Sequence, residues 1–320
     1  MAAISEQNPA NLDAQIASLL GPDTAPFEAL IAQLLSSGNE ARGQAEHLFN
    51  LCRTRHPDTL VLKLVHTLRF SSAVEARSMA AVLVRKQLAI WPQLSPQTQS
   101  SVKDQLLVCV QQEEIKGVMK KLCDTVAELA ASIAEDGQWS ELLPFLFQCV
   151  SSDTTRWKES ALMIFGQLAQ YMGPQLHPHL PTLHAVFQQT LASTMPGDVR
   201  LAALRATSNF VQTLETPQDR ECFQDLLPGM MQTLTQALDL HEEATAQEAL
   251  EMFIEVAGTE PRFLRKQLVE VVSSMLQIAD ADGLEEATRH LAVEFLITLA
   301  EARERAPGMM RKLPHFIGKL

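Results

Sequence analysis

Aromatic and strand-favouring residues are scarce in this chain. Only 5% of its 320 residues are aromatic, with one tyrosine and three tryptophans, while leucine, alanine, glutamine and glutamate dominate. This composition is rich in helix formers and poor in the aromatic and β-branched residues that strands favour. Because 46% of the residues are hydrophobic, a large core is available. The composition therefore predicts an all-α fold.

Targeting segments are also missing. Met1–Gln15 has no basic stretch followed by an apolar one, so we do not expect secretion. No uninterrupted apolar run approaches the length that crosses a bilayer, and we expect no membrane association. The cysteines are odd in number, widely spaced and without a C-x-x-C pair, which indicates reduced core residues of an intracellular protein. They are Cys52, Cys109, Cys123, Cys149 and Cys222.

Residue patterns that carry chemistry are absent or isolated. There is no glycine-rich phosphate loop, and Ser100–Lys103 fits an S-x-x-K motif without the motifs that accompany it in enzymes. His177, His179 and His184 lie near one another, but prolines interrupt their helical spacing and no carboxylate adjoins them in sequence. We therefore predict no catalytic residue, no metal and no cofactor, and hence no enzyme.

The net charge of −12 restricts the class of partner. Direct binding to nucleic acid is not expected, because phosphates require a basic protein surface. A partner that is itself basic suits this charge.

What the chain does contain is a repeat. Seven six-residue segments align without gaps, and their starts are 35, 39, 42, 42, 46 and 43 residues apart. The sixth position is alanine in six segments, and the third is arginine or lysine in six. This self-similarity predicts stacked helical hairpins, each exposing an apolar flank until a neighbour covers it. The segments begin at Glu40, Glu75, Glu114, Arg156, Asp198, Ala244 and Ala287.

Both recurrent positions have a physical explanation. Each segment opens the second helix of a hairpin, called B, and a small residue at its sixth position lets two helices cross closely. The cation at the third position lies in the first turn, where the helix dipole disfavours it. We therefore expect the cation to reach a carbonyl or an acid of the preceding turn or the preceding repeat.

The first helix of each hairpin, called A, and the A-to-B turns have their own markers. Leu-Pro pairs inside A predict kinks, and paired serines in the turns predict helix caps. Paired glutamates at helix starts are expected to be solvated, because acids are favoured at that end. The Leu-Pro pairs begin at Leu143, Leu180, Leu227 and Leu313. The serine pairs begin at Ser36, Ser71 and Ser151. The glutamate pairs begin at Glu113, Glu242 and Glu285.

Together these markers predict an α-solenoid superhelix of about seven hairpins and the start of an eighth. Residues 1–24 form an N-terminal extension with one short helix, and no linker divides residues 26–320. The eighth hairpin begins at Ala306 and stops within its A helix without a polar cap, so we interpret the chain as the amino-terminal part of a longer protein. The hairpins cover 26–55, 57–91, 95–134, 137–172, 174–214, 217–257 and 260–304, followed by 306–320.

The cation, the alanine and the proline within A resemble the HEAT repeat. The HEAT aspartate six residues before the cation is mostly replaced here, so either serine substitutes for it or the Asp–Arg ladder is weaker. Four longer segments are similar to the importin-β family of nuclear transport receptors, in its importin-five (karyopherin beta-three) branch. The residues that replace the HEAT aspartate are Ser36, Ser71, Ser152 and Thr194. The segments similar to the importin-β family are Glu75–Arg85, Met119–Leu129, Gln138–Phe147 and Arg289–Leu299.

This resemblance implies a monomeric receptor that shuttles between cytoplasm and nucleus. Such a receptor carries basic cargo of the ribosomal or histone type through the pore, binds phenylalanine-glycine nucleoporins there, and releases its cargo when RanGTP binds. The alternative is a HEAT scaffold or regulatory subunit of another complex, such as a phosphatase or kinase, which is not expected to bind RanGTP.

The resemblance also implies that the B helices of the first repeats contact Ran. In the third B helix, a 3–4 spacing predicts a core of Ile115, Met119, Leu122, Val126, Leu129 and Ile133. Lys121, Asp124 and Glu128 are then left on the opposite, concave side. With the same register in the first two repeats, the candidate Ran-binding residues are Glu46, Asn50, Arg85, Lys86, Lys121, Asp124 and Glu128.

Two further surfaces follow from register and resemblance. In the sixth and seventh B helices, the positions predicted for the concave side are occupied by acidic residues. They predict a cargo-binding wall of Glu251, Glu255, Glu294 and Glu301. The alternative is that these acids only confer solubility. Nucleoporin peptides are expected in slots between neighbouring A helices on the convex side. Candidates for lining the slots are Phe145, Phe187 and Phe223, each of which alternatively packs in the core.

Overall fold

The computed structural model of the chain describes residues 9–134, 139–214 and 216–309. Within these ranges every regular element is helical, and sixteen are α-helices. The predicted fold class, an all-α solenoid of HEAT-type hairpins, is confirmed. The Leu313-Pro314 pair of the predicted eighth hairpin lies outside the described residues. No helix in the described ranges is long and apolar enough to cross a membrane.

An N-terminal helix, α1 (Pro9–Leu20), precedes seven hairpins. Their A and B helices are α2 (Ala25–Leu34) with α3 (Asn39–Arg55), α4 (Pro57–Phe70) with α5 (Val74–Lys86), α6 (Pro96–Gln112) with α7 (Lys116–Ser132), α8 (Leu142–Ser151) with α9 (Thr155–Leu176), α10 (Leu180–Thr190) with α11 (Gly197–Thr213), α12 and α13 (Pro217–Phe223 and Leu227–Asp239) with α14 (Glu243–Thr259), and α15 (Leu268–Ala279) with α16 (Glu286–Glu301).

Two compact units divide the chain, Met1–Phe145 and Leu146–Leu320. In the first unit the A helices α4 and α6 pack side by side, and so do the B helices α5 and α7. In the second unit the B helices α9, α11, α14 and α16 form a row in which each packs on the next, while α13 packs on α14 and α15 on α16. Neighbouring hairpins therefore cover each other's apolar flanks, which is how a solenoid builds its core.

The recurrent alanines lie where the B helices pack, as predicted. All six, from Ala45 to Ala292, are at most 1% exposed, and Met119 in the alanine position of the third repeat is 5% exposed. Gly166 of α9 permits a still closer crossing, because a Cβ there would lie 3.2 Å from the Cα of Ala206 in α11. Asn209 Nδ2 in α11 donates a hydrogen bond to the carbonyl of Gly166 at 2.9 Å. Small residues thus determine how closely α9 and α11 approach.

Prolines of the A helices mark the first helical turn. Pro181 and Pro228 are the second residues of α10 and α13, and Pro144 is the third residue of α8. Short 3-10 segments, His177–His179 and Gln224–Leu226, lead directly into α10 and α13. In the sixth repeat the A segment is broken between α12 and α13 just before Leu227-Pro228, as predicted. Pro144 and Pro181 instead lie at helix starts, where the proline position needs no intrahelical hydrogen bond and no kink follows.

The paired serines close turns instead of capping helices. Ser36, Ser71 and Ser152 each accept, through Oγ, the backbone N–H two residues later, at 3.1, 3.2 and 3.3 Å. The N-cap positions of α3 and α5 are Gly38 and Ala73, neither of which provides a side-chain cap. The serine hydroxyls therefore stabilise the turn that precedes each B helix, and they do not cap the helix itself.

Two predictions of burial were wrong. All five cysteines are free, and four are buried, but Cys222 is exposed on the short helix α12. Ile115 is 42% exposed, because it is the N-cap residue of α7 and precedes the helical turn whose spacing was used. The other five residues predicted for the core of α7, from Met119 to Ile133, are buried.

Candidate partner-binding surfaces

Four of the predicted Ran-binding residues interact in one charged surface between α5 and α7. Arg85 reaches two carboxylates, with Nη1 3.5 Å from Asp124 Oδ2 and Nε 3.8 Å from Glu128 Oε2. Lys121 Nζ donates a hydrogen bond to Ser78 Oγ. The side chains of Arg85 and Asp124 are 33% and 25% exposed, so their charges are accessible to a partner. We name this surface the α5/α7 face: Ser78, Arg85, Lys86, Lys121, Asp124 and Glu128.

A buried hydrogen bond beneath the α5/α7 face fixes the register of the two helices. Thr125 of α7 is fully buried, and its Oγ1 lies 3.0 Å from the carbonyl oxygen of Ala81 in α5. Helical spacing of three and four residues then places Ser78 and Arg85 on the same side of α5 as Ala81. Ser78 and Thr125 were not among the predicted residues, although each lies within two helical turns of one.

The two Ran candidates of the first repeat, Glu46 and Asn50, are exposed on α3. Arg42 Nε lies 3.9 Å from Glu46 Oε1. Among the residues that the structure describes, no ion pair or hydrogen bond joins Glu46 or Asn50 to the α5/α7 face. They are accessible, but the structure does not bring them together with the other five.

A buried ion pair joins the second and third repeats in the same unit. Arg77 Nε is 2.8 Å from Glu113 Oε2 and Arg77 Nη2 is 3.2 Å from Glu113 Oε1. The two side chains are 15% and 5% exposed. Glu113 Oε1 also accepts the backbone N–H groups of Glu114 and Ile115, at 3.0 and 2.9 Å, and so holds the turn that leads into α7. The expectation that Glu113 is a solvated helix-start acid was wrong.

The charged state of this pair follows from its surroundings. Burial raises the pKa of Glu113, but the hydrogen bonds from Arg77 and the backbone of Ile115, together with the charge of Arg77, outweigh burial and leave the pKa below its ordinary value. The hydrogen bond to Glu113 in turn raises the pKa of Arg77. Both groups are therefore charged at neutral pH, and the pair is a structural link between repeats.

Glu243 provides a second link of this kind, between the sixth and seventh repeats. Its Oε2 accepts the backbone N–H of Glu285 at 2.9 Å and the hydroxyl of Thr288 at 2.5 Å. Gln247 Nε2 donates to the same hydroxyl at 3.0 Å. A second acid assigned to solvent thus holds the start of the B helix of the next repeat through the N–H of Glu285 and the hydroxyl of Thr288.

The predicted role of the third-position cation is confirmed in several repeats. Arg77 Nη1 donates to the carbonyl of Ser71 at 3.0 Å, so a backbone carbonyl replaces the HEAT aspartate there. Lys158 Nζ donates to the carbonyl of Val150 at 3.2 Å, and Arg289 pairs with Asp282 at 3.3 Å. Arg200 differs: it is 2% exposed, and its Nε and Nη2 atoms have no hydrogen-bond partner among the residues that the structure describes.

The predicted cargo-binding acids are all exposed. Glu251 and Glu255 lie on α14 and Glu294 and Glu301 on α16, and these two helices pack together. A Cβ at Gly258 would lie 3.3 Å from Thr298 Cγ2, which shows how closely the helices approach. None of the four carboxylates forms an ion pair with a residue in the described ranges, so their charge is available to a partner. We name these four residues the acidic face.

Only one of the three predicted nucleoporin-binding phenylalanines is accessible. Phe187 and Phe223 are 0% and 2% exposed, and their ring centroids lie 6.3 Å apart in the core of the second unit. They do not line a surface slot, because helix packing encloses them. Phe145 on α8 is half-buried and can still meet a partner.

The three histidines do not form a metal site. His184 Nε2 lies 2.7 Å from Asp225 Oδ1, and His177 Nε2 lies 3.4 Å from Asp219 Oδ2. Each of these histidines therefore meets a single carboxylate of the following repeat. Across the described ranges, no three His, Cys, Asp or Glu residues are grouped to hold a metal ion.

Stacked hairpins with charged and accessible helix faces define a helical-repeat protein of the kind that binds other proteins. A family model described as "IPO5-like, TPR repeats" matches residues 114–274, half of the chain, and one described as "Importin repeat" matches residues 280–320. The chain belongs to the importin family, in its importin-5-like branch.

Similar proteins agree with this assignment. The "Probable importin-5 homolog" of Dictyostelium discoideum is 25% identical over 86% of this chain and 26% of its own length. "Importin-4" of Mus musculus is 25% identical over 93% of the chain and 27% of its own length. The chain thus spans about a quarter of the length of these relatives.

Solved structures of Kap121p share the fold. Kap121p bound to RanGTP has a TM-score of 0.75 at 21% identity, covering 95% of this chain and 27% of that one. Kap121p bound to Nup53p has a TM-score of 0.74 at 20% identity, covering 96% and 28%. Kap121p bound to Pho4p has a TM-score of 0.72 at 21% identity, covering 89% and 27%.

Proposed function

We propose that this chain is part of a nuclear import receptor that binds RanGTP, pore nucleoporins and basic cargo, and that shuttles between cytoplasm and nucleus. It performs no catalysis. Membership of the importin family supports this proposal, and so do the solved structures of Kap121p bound to RanGTP and to Nup53p. The observation that carries the Ran part is the α5/α7 face, where five predicted residues are accessible and four interact.

The α5/α7 face has the chemistry for recognising a mixed-charge protein surface. Arg85 lies between two carboxylates and Lys121 beside a hydroxyl, so neighbouring charges of both signs are held in defined positions. Such a pattern selects a partner of complementary pattern and disfavours others through like-charge contacts. If Ran binding weakens cargo binding, linkage requires that cargo weaken Ran binding by the same factor.

A binding assay with Ran tests the proposal. Immobilised Ran locked in the GTP state is expected to retain the chain, whereas GDP-bound Ran retains little. Equal retention by both nucleotide states, or by neither, would contradict a receptor whose cargo release depends on RanGTP.

For the acidic face we predict a salt-sensitive contribution to cargo binding. Changing its four glutamates to glutamine in the full-length receptor should weaken binding of a basic ribosomal or histone-type cargo about tenfold at low salt, because unpaired carboxylates attract a basic partner. The effect should shrink as salt is raised, and titration calorimetry at two salt concentrations measures it.

A matched control removes four other exposed carboxylates of the same unit. This variant has the same net charge and is expected to bind cargo as the parent does. If both variants weaken binding equally, the acids act only through total charge and the acidic face is no binding site. The control positions, changed to asparagine or glutamine, are Asp239, Glu270, Asp280 and Glu304.

For nucleoporin binding we predict weak contacts that involve Phe145. A phenylalanine-glycine peptide should bind the chain at millimolar concentration, with strength gained by multivalency. Phe145→Ala should reduce the chemical-shift changes that the peptide causes, whereas Phe187→Leu, a change in the buried core, should leave them unaltered per folded molecule. Absence of binding at millimolar peptide would argue against this surface.

A further inference from the structure

A cavity in the second unit differs in charge from the rest of this acidic protein. It has a volume of about 730 Å³, within the range of ligand sites, and opens between α12, the 3-10 segment Pro261–Gln267 and the residues after α16. Four arginines and two glutamates line it, although the whole chain carries a net charge of −12. We name it the arginine pocket; its arginines are Arg220, Arg262, Arg265 and Arg305.

The glutamates do not neutralise the arginine pocket. Glu260 Oε1 is 2.7 Å from Arg220 Nη1, and each side chain of this pair is about a quarter exposed. Glu221 is the second acid and is exposed. Within the described ranges Arg265 has no ion pair or hydrogen bond, and Arg262 and Arg305 have none with a carboxylate. The pocket therefore retains positive charge.

Backbone carbonyls hold the arginines in place without cancelling their charge. Arg262 Nε donates to the carbonyl of Arg305 at 3.1 Å, and Arg305 Nη1 donates to the carbonyl of Gly258. Gln224, which is 6% exposed, donates Nε2 to the carbonyl of Arg262 at 3.0 Å. These hydrogen bonds join segments that follow one another along the solenoid. The rim is thus preorganised, which lowers the entropic cost of binding.

The inner wall of the arginine pocket is apolar. Phe263 is 1% exposed, and Ala306 and Met309 are 4% and 5% exposed. A ligand that fits this combination carries several carboxylates for the guanidinium groups and an apolar side chain for the wall. Arginine suits such a ligand because its planar guanidinium group binds a carboxylate through two parallel hydrogen bonds.

We propose that the arginine pocket binds an acidic peptide segment of a partner protein, one with an apolar side chain among its carboxylates. The net charge of the whole chain disfavours a nucleic acid, whose extended phosphate backbone would meet repulsion beyond the pocket. This pocket has a charge opposite to that of the acidic face, and it selects a different partner. The proposal does not depend on binding of Ran or basic cargo.

Fluorescence anisotropy with a short labelled peptide of glutamate and aspartate around a central leucine tests this proposal in the 320-residue chain. Arg265→Glu should weaken binding at least about tenfold, since a charge that the ligand contacts is reversed. This variant breaks no hydrogen bond of the described residues, so its helical circular dichroism should equal that of the parent. Arg305→Gln, which removes a charge without reversing it, should weaken binding less.

Arg205→Glu is the matched control. Arg205 is an exposed arginine of the same unit outside the pocket, paired with Glu248 at 2.7 Å, and the change in net charge is identical. We expect this control to bind the peptide as the parent does. Equal weakening by both variants, or equal binding of a glutamine and asparagine version of the peptide, would overturn the proposal. Displacement of the peptide by inorganic phosphate at equal concentration would define a small-anion site and overturn it as well.

Discussion

Replacing Glu113 by alanine is expected to lower the free energy of unfolding by about 3–5 kcal/mol, the usual cost of leaving one buried ion uncompensated. Glu113 is 5% exposed, contacts Arg77 through two hydrogen bonds, and accepts two backbone N–H groups in the turn that leads into α7. Its loss leaves the largely buried guanidinium of Arg77 without a counter-charge and the turn before α7 without its two hydrogen bonds. Urea denaturation followed by circular dichroism measures the change.

Three comparison variants separate the ion pair from general effects. Arg77→Ala should cost about as much as Glu113→Ala, while Arg77→Met combined with Glu113→Leu should cost less than either, because no buried charge then lacks a partner. Glu40→Ala changes an exposed glutamate in the first turn of α3 and should cost no more than about 1 kcal/mol. If Glu113→Ala proved no more harmful than Glu40→Ala, the ion pair would not be a significant link between the repeats.

The same pair predicts a dependence of stability on pH. Because the pKa of Glu113 is depressed in the folded chain, its contribution is fully present above the unfolded-state pKa of about 4.3 and is lost as pH falls through the folded-state value. The stability difference between the parent and Glu113→Gln should therefore be constant near neutral pH and shrink below about pH 4. A difference that grew on acidification would contradict the depressed pKa.

Exchanging the charges of the α5/α7 face is expected to weaken RanGTP binding about a hundredfold, as loss of a central charged contact does at other interfaces. The variant combines Arg85→Glu, Asp124→Arg and Lys121→Glu. Its first two changes keep an opposite-charge pair between α5 and α7, since Arg85 and Asp124 pair at 3.5 Å, yet present the opposite sign to a partner. The glutamate at position 85 then approaches Glu128, but the arginine at position 124, four residues from Glu128 on α7, offsets this repulsion. The fold is therefore retained while recognition is lost. Surface plasmon resonance with GTP-locked Ran measures the affinity.

Lys120→Glu provides the matched control for this experiment. Lys120 is exposed on α7, precedes Lys121 and lies outside the α5/α7 face, and its reversal causes the same change in net charge. We expect the control to bind RanGTP within about twofold of the parent, because exposed charges away from a contact contribute little. Should the triple variant, folded as judged by circular dichroism, bind RanGTP as the control does, the α5/α7 face is no Ran contact.

Several features could be predicted without the structure because they depend on local periodicity. The burial of the six recurrent alanines follows from a single position that recurs every forty-odd residues on the packed side of a helix. All six of these alanines are buried. The exposure of Lys121 and Lys86 likewise follows from helical spacing within a single element. Errors at Ile115 and at the serine pairs arose at helix ends, where the periodic argument no longer holds.

Sequence by itself determined the class of fold, the hairpin repeat and the sides of α7 that face core and solvent, because these properties depend on residue spacing along one chain segment. Tertiary structure alone decided the fate of individual charged groups. Glu113 and Glu114 are adjacent residues of one type, yet only Glu113 is buried, because packing of α5 on α7 brings Arg77 to it. The arginine pocket likewise collects residues more than eighty positions apart. Such contacts depend on how successive hairpins stack, which no local pattern contains.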